Sequence, residues 1–195
     1  YGSLGVAYGL LLLDTAGMAR IDVMRGVNSV LYGSQAVAGV IDIVTRNPMG
    51  GLAEARLEAG SFDHRRATAV AGASSDSASL LVSGYYTHHS PVDRDNDDVS
   101  EFTGFLRSGM TANGRVELAP NHRLNARAGF FMENRQGGSV TTSTLASFDN
   151  PRLRSLNETV LTERFELGVR DIIDLGPGRR LTTIVSGAHH DQDSD

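Results

Sequence analysis

The sequence predicts a mainly β chain: an antiparallel sheet of about seven strands, preceded by the end of a smaller α+β unit. Three observations carry that class. Apolar and polar residues alternate with period two, the spacers between the alternating stretches differ in length by turns, and the texture breaks sharply at Asn47-Pro48 and Gly50-Gly51. The break separates residues 1–50, rich in Gly, Ala and Val and sparsely charged, from residues 51–195, where alternation takes over.

Before the break, residues 10–13 suit a short helix or a buried strand. Residues 19–24 and 39–45 read as strands, and residues 27–32 read as a helical turn. Gly26, Gly33 and Gly39 punctuate a chain that must reverse in a confined space, where a side chain would clash. Val40, Ile41, Ile43 and Val44 form a near-continuous apolar run, which suits a strand covered on both faces.

Beyond the break, Ala53, Ala55, Leu57 and Ala59 face away from Glu54, Arg56 and Glu58. Ala67, Ala69, Ala71 and Ala73 oppose Arg66 and Thr68. Leu124, Ala126, Ala128, Phe130 and Met132 oppose Asn125 and Arg127, and Phe165, Leu167 and Val169 oppose Arg164, Glu166 and Arg170. Residues 80–86, 110–118 and 181–188 follow the pattern less cleanly. A water-soluble sheet with one wet face gives this alternation, and so does a membrane barrel with a polar interior.

The spacers favour the barrel. Residues 61–64, 74–77, 120–123 and 176–179 are short, whereas 89–102 and 134–158 are long. After the first hairpin the short ones fall at one end of the sheet and the long ones at the other, as in barrels of the bacterial outer membrane. Aromatic girdles are thinly supplied: Trp is absent, and Tyr and Phe number only 5 and 7. Tyr85, Tyr86, Phe130 and Phe131 are expected near strand ends, where they would contribute.

Composition narrows the function. A net charge of −5 disfavours nucleic acid. The lack of cysteine excludes disulfides and thiolate chemistry. No stretch reaches the roughly 20 apolar residues of a spanning helix. Lysine is absent too, so the segment from Gly26 to Ser34 offers no phosphate loop. No G-x-S-x-G or H-E-x-x-H is present, and no catalytic residue is assigned.

The stretch from Ala19 to Pro48 resembles the end of the plug domain in TonB-dependent outer-membrane receptors, whose pattern runs I-E-x-I-E-V-x-R-G, P-x-S-x-L-Y-G, then G-A-x-G-G-V-I-N-I-x-T-K-x-P. Matching positions include Arg25, Gly26, Ser29, Leu31, Tyr32, Gly33, Gly39, Val40, Ile41 and Ile43. Val27, Ala38, Asp42 and Arg46 depart conservatively from it. Residues 58–72 resemble the first barrel hairpin of the same family, so the match covers roughly residues 19–73.

The resemblance implies a plugged transmembrane antiparallel barrel, with residues 1–50 ending the plug and residues 51–195 beginning the wall. It implies uptake across the bacterial outer membrane of a scarce large substrate: a ferric siderophore foremost, with haem or cobalamin as alternatives. The expected partners are the lipid bilayer and the TonB complex, the latter engaged through an N-terminal segment that the chain is not expected to contain. No cofactor, metal or enzymatic step is implied. An arginine placed like Arg25 pairs in the family with barrel glutamates. With Tyr rather than Met at its start, the chain is expected to be an internal fragment, an open sheet with exposed edges.

Three other readings belong beside this one. His64, His88, His89, His189 and His190 fall at the long-loop ends of their strands, yet neighbours on a strand point to opposite faces, so exposed surface histidines are expected. Residues 93–98 resemble a calcium loop but lack its glycine and terminal glutamate, so a solvated loop is expected. The different functional class to weigh is a surface or periplasmic β-sheet binding or adhesion module.

Overall fold

A computed structural model describes residues 15–25, 39–47, 51–139 and 158–194, and every regular element among them is a strand. β1 (Met18–Arg25) and β2 (Gly39–Thr45) form a two-stranded antiparallel sheet. A second sheet holds seven strands in chain order: β3 (Leu52–Ala59), β4 (Arg65–Ser74), β5 (Ala78–His89), β6 (Gly104–Ala119), β7 (His122–Gly137), β8 (Glu158–Gly176) and β9 (Arg179–Ser194). All its pairings are antiparallel, and β3 and β9 are unpaired outer edges, so the sheet is open. The elements expected at residues 10–13 and 27–32 lie outside the described residues, as do Gly26, Ser29, Leu31, Tyr32 and Gly33.

Register sets the faces. One cross-strand row runs Ala55, Ala69, Gly84, Met110, Phe130 and Phe165. The next row, on the opposite face, runs Glu54, Val70, Ser83, Thr111, Gly129 and Glu166. The apolar face is bare: Leu57, Met110, Phe130, Phe165, Leu167 and Val185 are all exposed. The polar face is the more covered one, with Ser83, Thr111 and Glu133 buried.

A sheet that folds in water does the reverse, covering its apolar side and wetting its polar side. Lipid reverses the preference, because hydrocarbon outside the wall replaces the missing core. On β7 the apolar positions run from Leu124 to Met132, about 27 Å along a strand that rises 3.4 Å per residue. Tilted by the usual 35–45°, that run covers roughly 20 Å of depth, near the apolar band of a membrane barrel.

The connections fall as the spacers predict. Residues 75–77, Pro120-Asn121 and Pro177-Gly178 close the sheet at one end. Residues 90–103 and 138–157 join strands at the other, together with the turn at residues 60–64. Proline fixes its own φ and Gly178 takes φ 67°, which lets the last of these turns close in two residues.

The small hairpin meets the polar face. Gly17 packs so tightly there that a Cβ would fall 2.7 Å from the Ser83 hydroxyl. At the opposite end of the hairpin, Gly39 has φ 144° and a Cβ would meet the Met24 carbonyl at 2.5 Å, so only glycine fits this matching position.

Two expectations are corrected. Tyr85 and Phe131 do not join a girdle. They share the parity of Ser83 and Thr111, close over Gly109, and form a buried pair on the polar face. Burying Phe131, which is 2% exposed, is worth about 1.5–3 kcal/mol. Tyr86 and Phe130 do point outward, but Phe130 is the ninth of the sixteen residues of β7, mid-strand rather than at a strand end. The second correction concerns β2, where Ile41 is 45% exposed: the described residues do not cover this strand on both faces, because the wall meets the hairpin only at its Met18–Thr45 end.

Candidate functional site

The junction of hairpin and wall is built from arginines. Arg46 donates from Nη1 and Nη2 to the two carboxylate oxygens of Glu54 at 2.8 and 2.6 Å. Its backbone N–H donates to the Gly17 carbonyl at 2.9 Å, and Arg66 reaches the Thr15 hydroxyl at 3.4 Å. Arg46 and Glu54 therefore tie the end of the hairpin to the start of the wall. A two-pronged guanidinium–carboxylate contact fixes orientation as well as distance.

Beside this clamp lies a space of about 600 Å³, bounded by Ile43 and Thr45 of the hairpin and by Asn113, Arg115, Arg127 and Arg170 of the wall. Its lining is basic, and the neighbouring carboxylates partly neutralise it. Glu166 accepts from Arg127 at 2.9 Å and Glu117 accepts from Arg115 at 2.5 Å. Nearer the long loops, Glu133 bridges Arg107 and Arg135, with carboxylate contacts of 2.5 and 2.6 Å. The bonds of Arg127 to Glu166 and of Arg107 to Glu133 cross between neighbouring strands of the polar face, so register decides those pairs. Those of Arg115 to Glu117 and of Arg135 to Glu133 join residues two apart on one strand. Alternation in the sequence marks the face but not the partners.

Of the matching positions in the hairpin, Gly39, Val40, Ile41 and Ile43 all lie on β2, opposite Arg25, Met24, Val23 and Ile21. Arg25 is exposed and has no ion-pair partner among the described residues. These positions build a scaffold rather than a cluster of reactive groups.

The long-loop end carries two further features. Phe62, His64, His89, Phe102 and Phe105 draw together around the end of β5. In the neighbouring loop, the carboxylates of Asp93, Asp95, Asp97 and Glu101 come within 4.8 Å of one another. Three of them already brace the loop: Asp93 accepts from the N–H groups of Asn96 and Asp98, Asp97 from that of Val99, and Glu101 from that of Arg94. The carboxylates thus cap the loop's own backbone donors.

Asp95 has its pKa raised, first by loss of hydration among the packed groups, then by the charges of Asp97 and Glu101. The sign follows from proton linkage. The ionised group disfavours the folded loop at neutral pH, and the cost falls as pH drops through the raised value and disappears below the ordinary carboxylate range. Amide exchange of residues 93–101, corrected for intrinsic rates, is expected to slow on acidification. Asp95→Asn should slow it already at neutral pH and flatten the response. An unchanged profile in that variant would show that repulsion does not govern the loop.

A bare apolar face, a polar face carrying a hairpin, and short turns opposite long loops define a wall of the outer membrane, and that is where the chain resides. Over 153 residues it is 35% identical to the iron-regulated outer membrane virulence protein of Vibrio cholerae serotype O1, in both the classical Ogawa strain and the El Tor Inaba strain. The match covers 70% of this chain, and the chain spans 22% of the length of those relatives. No family model matches it.

Proposed function

We propose that this chain joins the plug to the barrel of a TonB-dependent outer-membrane receptor that imports a scarce, large substrate, foremost a ferric siderophore. Residues 1–50 would close the plug and residues 51–195 would open the wall. The observation that carries this reading is the inverted sheet: its apolar side is bare, while its polar side holds a hairpin clamped through Arg46 and Glu54. Iron regulation of the similar Vibrio cholerae proteins supports the choice of iron. Haem and cobalamin are the other cargoes of matching size and scarcity.

In this reading substrate binds from the long-loop side, and release follows a conformational change of the plug driven through the TonB complex, with no bond made or broken in the substrate. A ligand can drive such a change only by binding the two states differently. Uptake of labelled ferric siderophores, haem and cobalamin by cells with and without the gene, each under limitation for that nutrient, tests it. One cargo should be lost in the deletion and on collapse of the proton gradient. Unaltered uptake of all three, with the protein recovered from the soluble periplasm, would refute the reading and favour a periplasmic binding module.

A further inference from the structure

The turn after β3 and the end of β5 bring His64 and His89 together, their ring centroids 5.9 Å apart and their planes inclined by 56°. The turn is held in an uncommon shape, with Phe62 at φ 57° and Asp63 at φ 53°, a region that bulky residues rarely adopt. Two bonds hold it against β5. The Phe62 carbonyl accepts from the Ser90 N–H at 3.0 Å, and the Asp63 carbonyl lies 3.2 Å from His88 Nδ1.

His89 is oriented too. Its Nδ1 lies 2.6 Å from the Ser90 carbonyl oxygen, which can only accept, so in the neutral ring Nδ1 carries the proton and Nε2 the lone pair. A carbonyl behind one ring nitrogen is the usual way a protein aims the other at a metal. The ring stacks on Phe105 at 5.7 Å and meets the edge of Phe102 at 5.2 Å, so it is not free to turn away. Phe62 and Phe102 are 58% and 53% exposed, which leaves the cluster open at the long-loop end.

Two imidazoles sharing a tetrahedral ion through bonds of 2.0–2.1 Å place their ring centres about 5 Å apart. The observed pair lies within roughly 1 Å of that spacing. We propose that His64 and His89 form a two-imidazole site for a borderline divalent ion of the copper, nickel or zinc class. Among the described residues no third His, Asp or Glu closes a set with them, so water or the ion's own ligands complete the coordination. Two ligands and open positions make an exchangeable site, suited to an arriving metal complex rather than a structural ion. His88 is turned instead toward Asp63.

The test is a Cu(II) titration of the intact protein in detergent, followed by electron paramagnetic resonance. One ion per chain should show coupling to two imidazole nitrogens. His64→Asn and His89→Asn should each weaken binding about tenfold or more, since losing even an outer partner of a ligand costs 10–100-fold. His189→Asn should leave it unchanged. Because His89 packs among aromatic rings, the spectrum of the unmodified protein provides a readout that no substitution can disturb. Copper signals without two imidazole nitrogens, or binding indifferent to His64→Asn, would overturn the site.

Discussion

Phe130→Arg is expected to cost about 2–4 kcal/mol of folding stability in a bilayer, the penalty for a cation on the lipid side near mid-depth. Phe130 is 44% exposed and sits in the row between Met110 and Phe165. In water an arginine there would be harmless, since exposed substitutions away from special features fall within about 0.5 kcal/mol. The size of the result therefore separates lipid from water as the medium of that face. Ser186→Arg is the internal control. Its residue pairs with Gly168, which pairs with Arg127, so it lies on the polar face three positions along the ladder. There the added arginine should cost less than about 1 kcal/mol. Urea titration of the intact protein folded into lipid vesicles reads both variants, with heat-modifiable migration as a check of folding. Equal effects of the two substitutions would contradict a lipid-facing apolar side.

The same face explains how much of the fold was legible in the sequence. Gly39–Thr45 and Leu52–Ala59 form at the residues that the pattern marks. The later strands run longer than their alternation. β8 extends to Glu158 and β9 to Ser194, although the alternation is clean only over 162–170 and looser over 181–188. The physical reason is that alternation records the medium, whereas the ladder records the backbone. Toward the long loops Glu163, Asp191 and Asp193 stand on the same side as Phe165, so both faces become polar and the period-two signal fades. Backbone pairing needs no such contrast and continues.

Parity alone would have corrected the aromatic expectation, because Tyr85 alternates in step with Ser83 and Thr87 rather than with Leu80 and Val82. The hairpin's seat on the polar face had no local signal. It depends on Gly17 meeting Ser83, which lies 66 residues further along the chain. The clamp of Arg46 on Glu54 was equally hidden, since it joins the end of one sheet to a strand of the other. For the histidines, the expectation that neighbours point apart is correct for His88 and His89. The partner that matters, His64, comes from another strand end through a turn whose shape the residues do not announce.

Glu133→Gln should be the most damaging single change on the polar face. Glu133 is 5% exposed and is the shared acceptor of Arg107 and Arg135, each at least three-quarters buried in its side chain. Glutamine keeps the volume but removes the negative charge that both guanidinium groups contact. Breaking a buried ionic set by removing one member costs about 3–5 kcal/mol, and water reaching the two arginines puts the expectation at the lower end, about 3 kcal/mol. Removing Arg107 together with the glutamate should hurt less than the single loss implies, because only one guanidinium then loses its contact with the carboxylate. The pairing of Glu133→Gln with Arg107→Gln should therefore recover about 1–2 kcal/mol relative to additivity. The arginine stacked over the Phe105 ring, 3.9 Å from its centre, keeps some of its packing role, so recovery is partial. Urea unfolding of the four proteins in the cycle gives the coupling directly. A cost below about 1 kcal/mol for Glu133→Gln would mean that water screens the set and that the wall is held by its ladders alone.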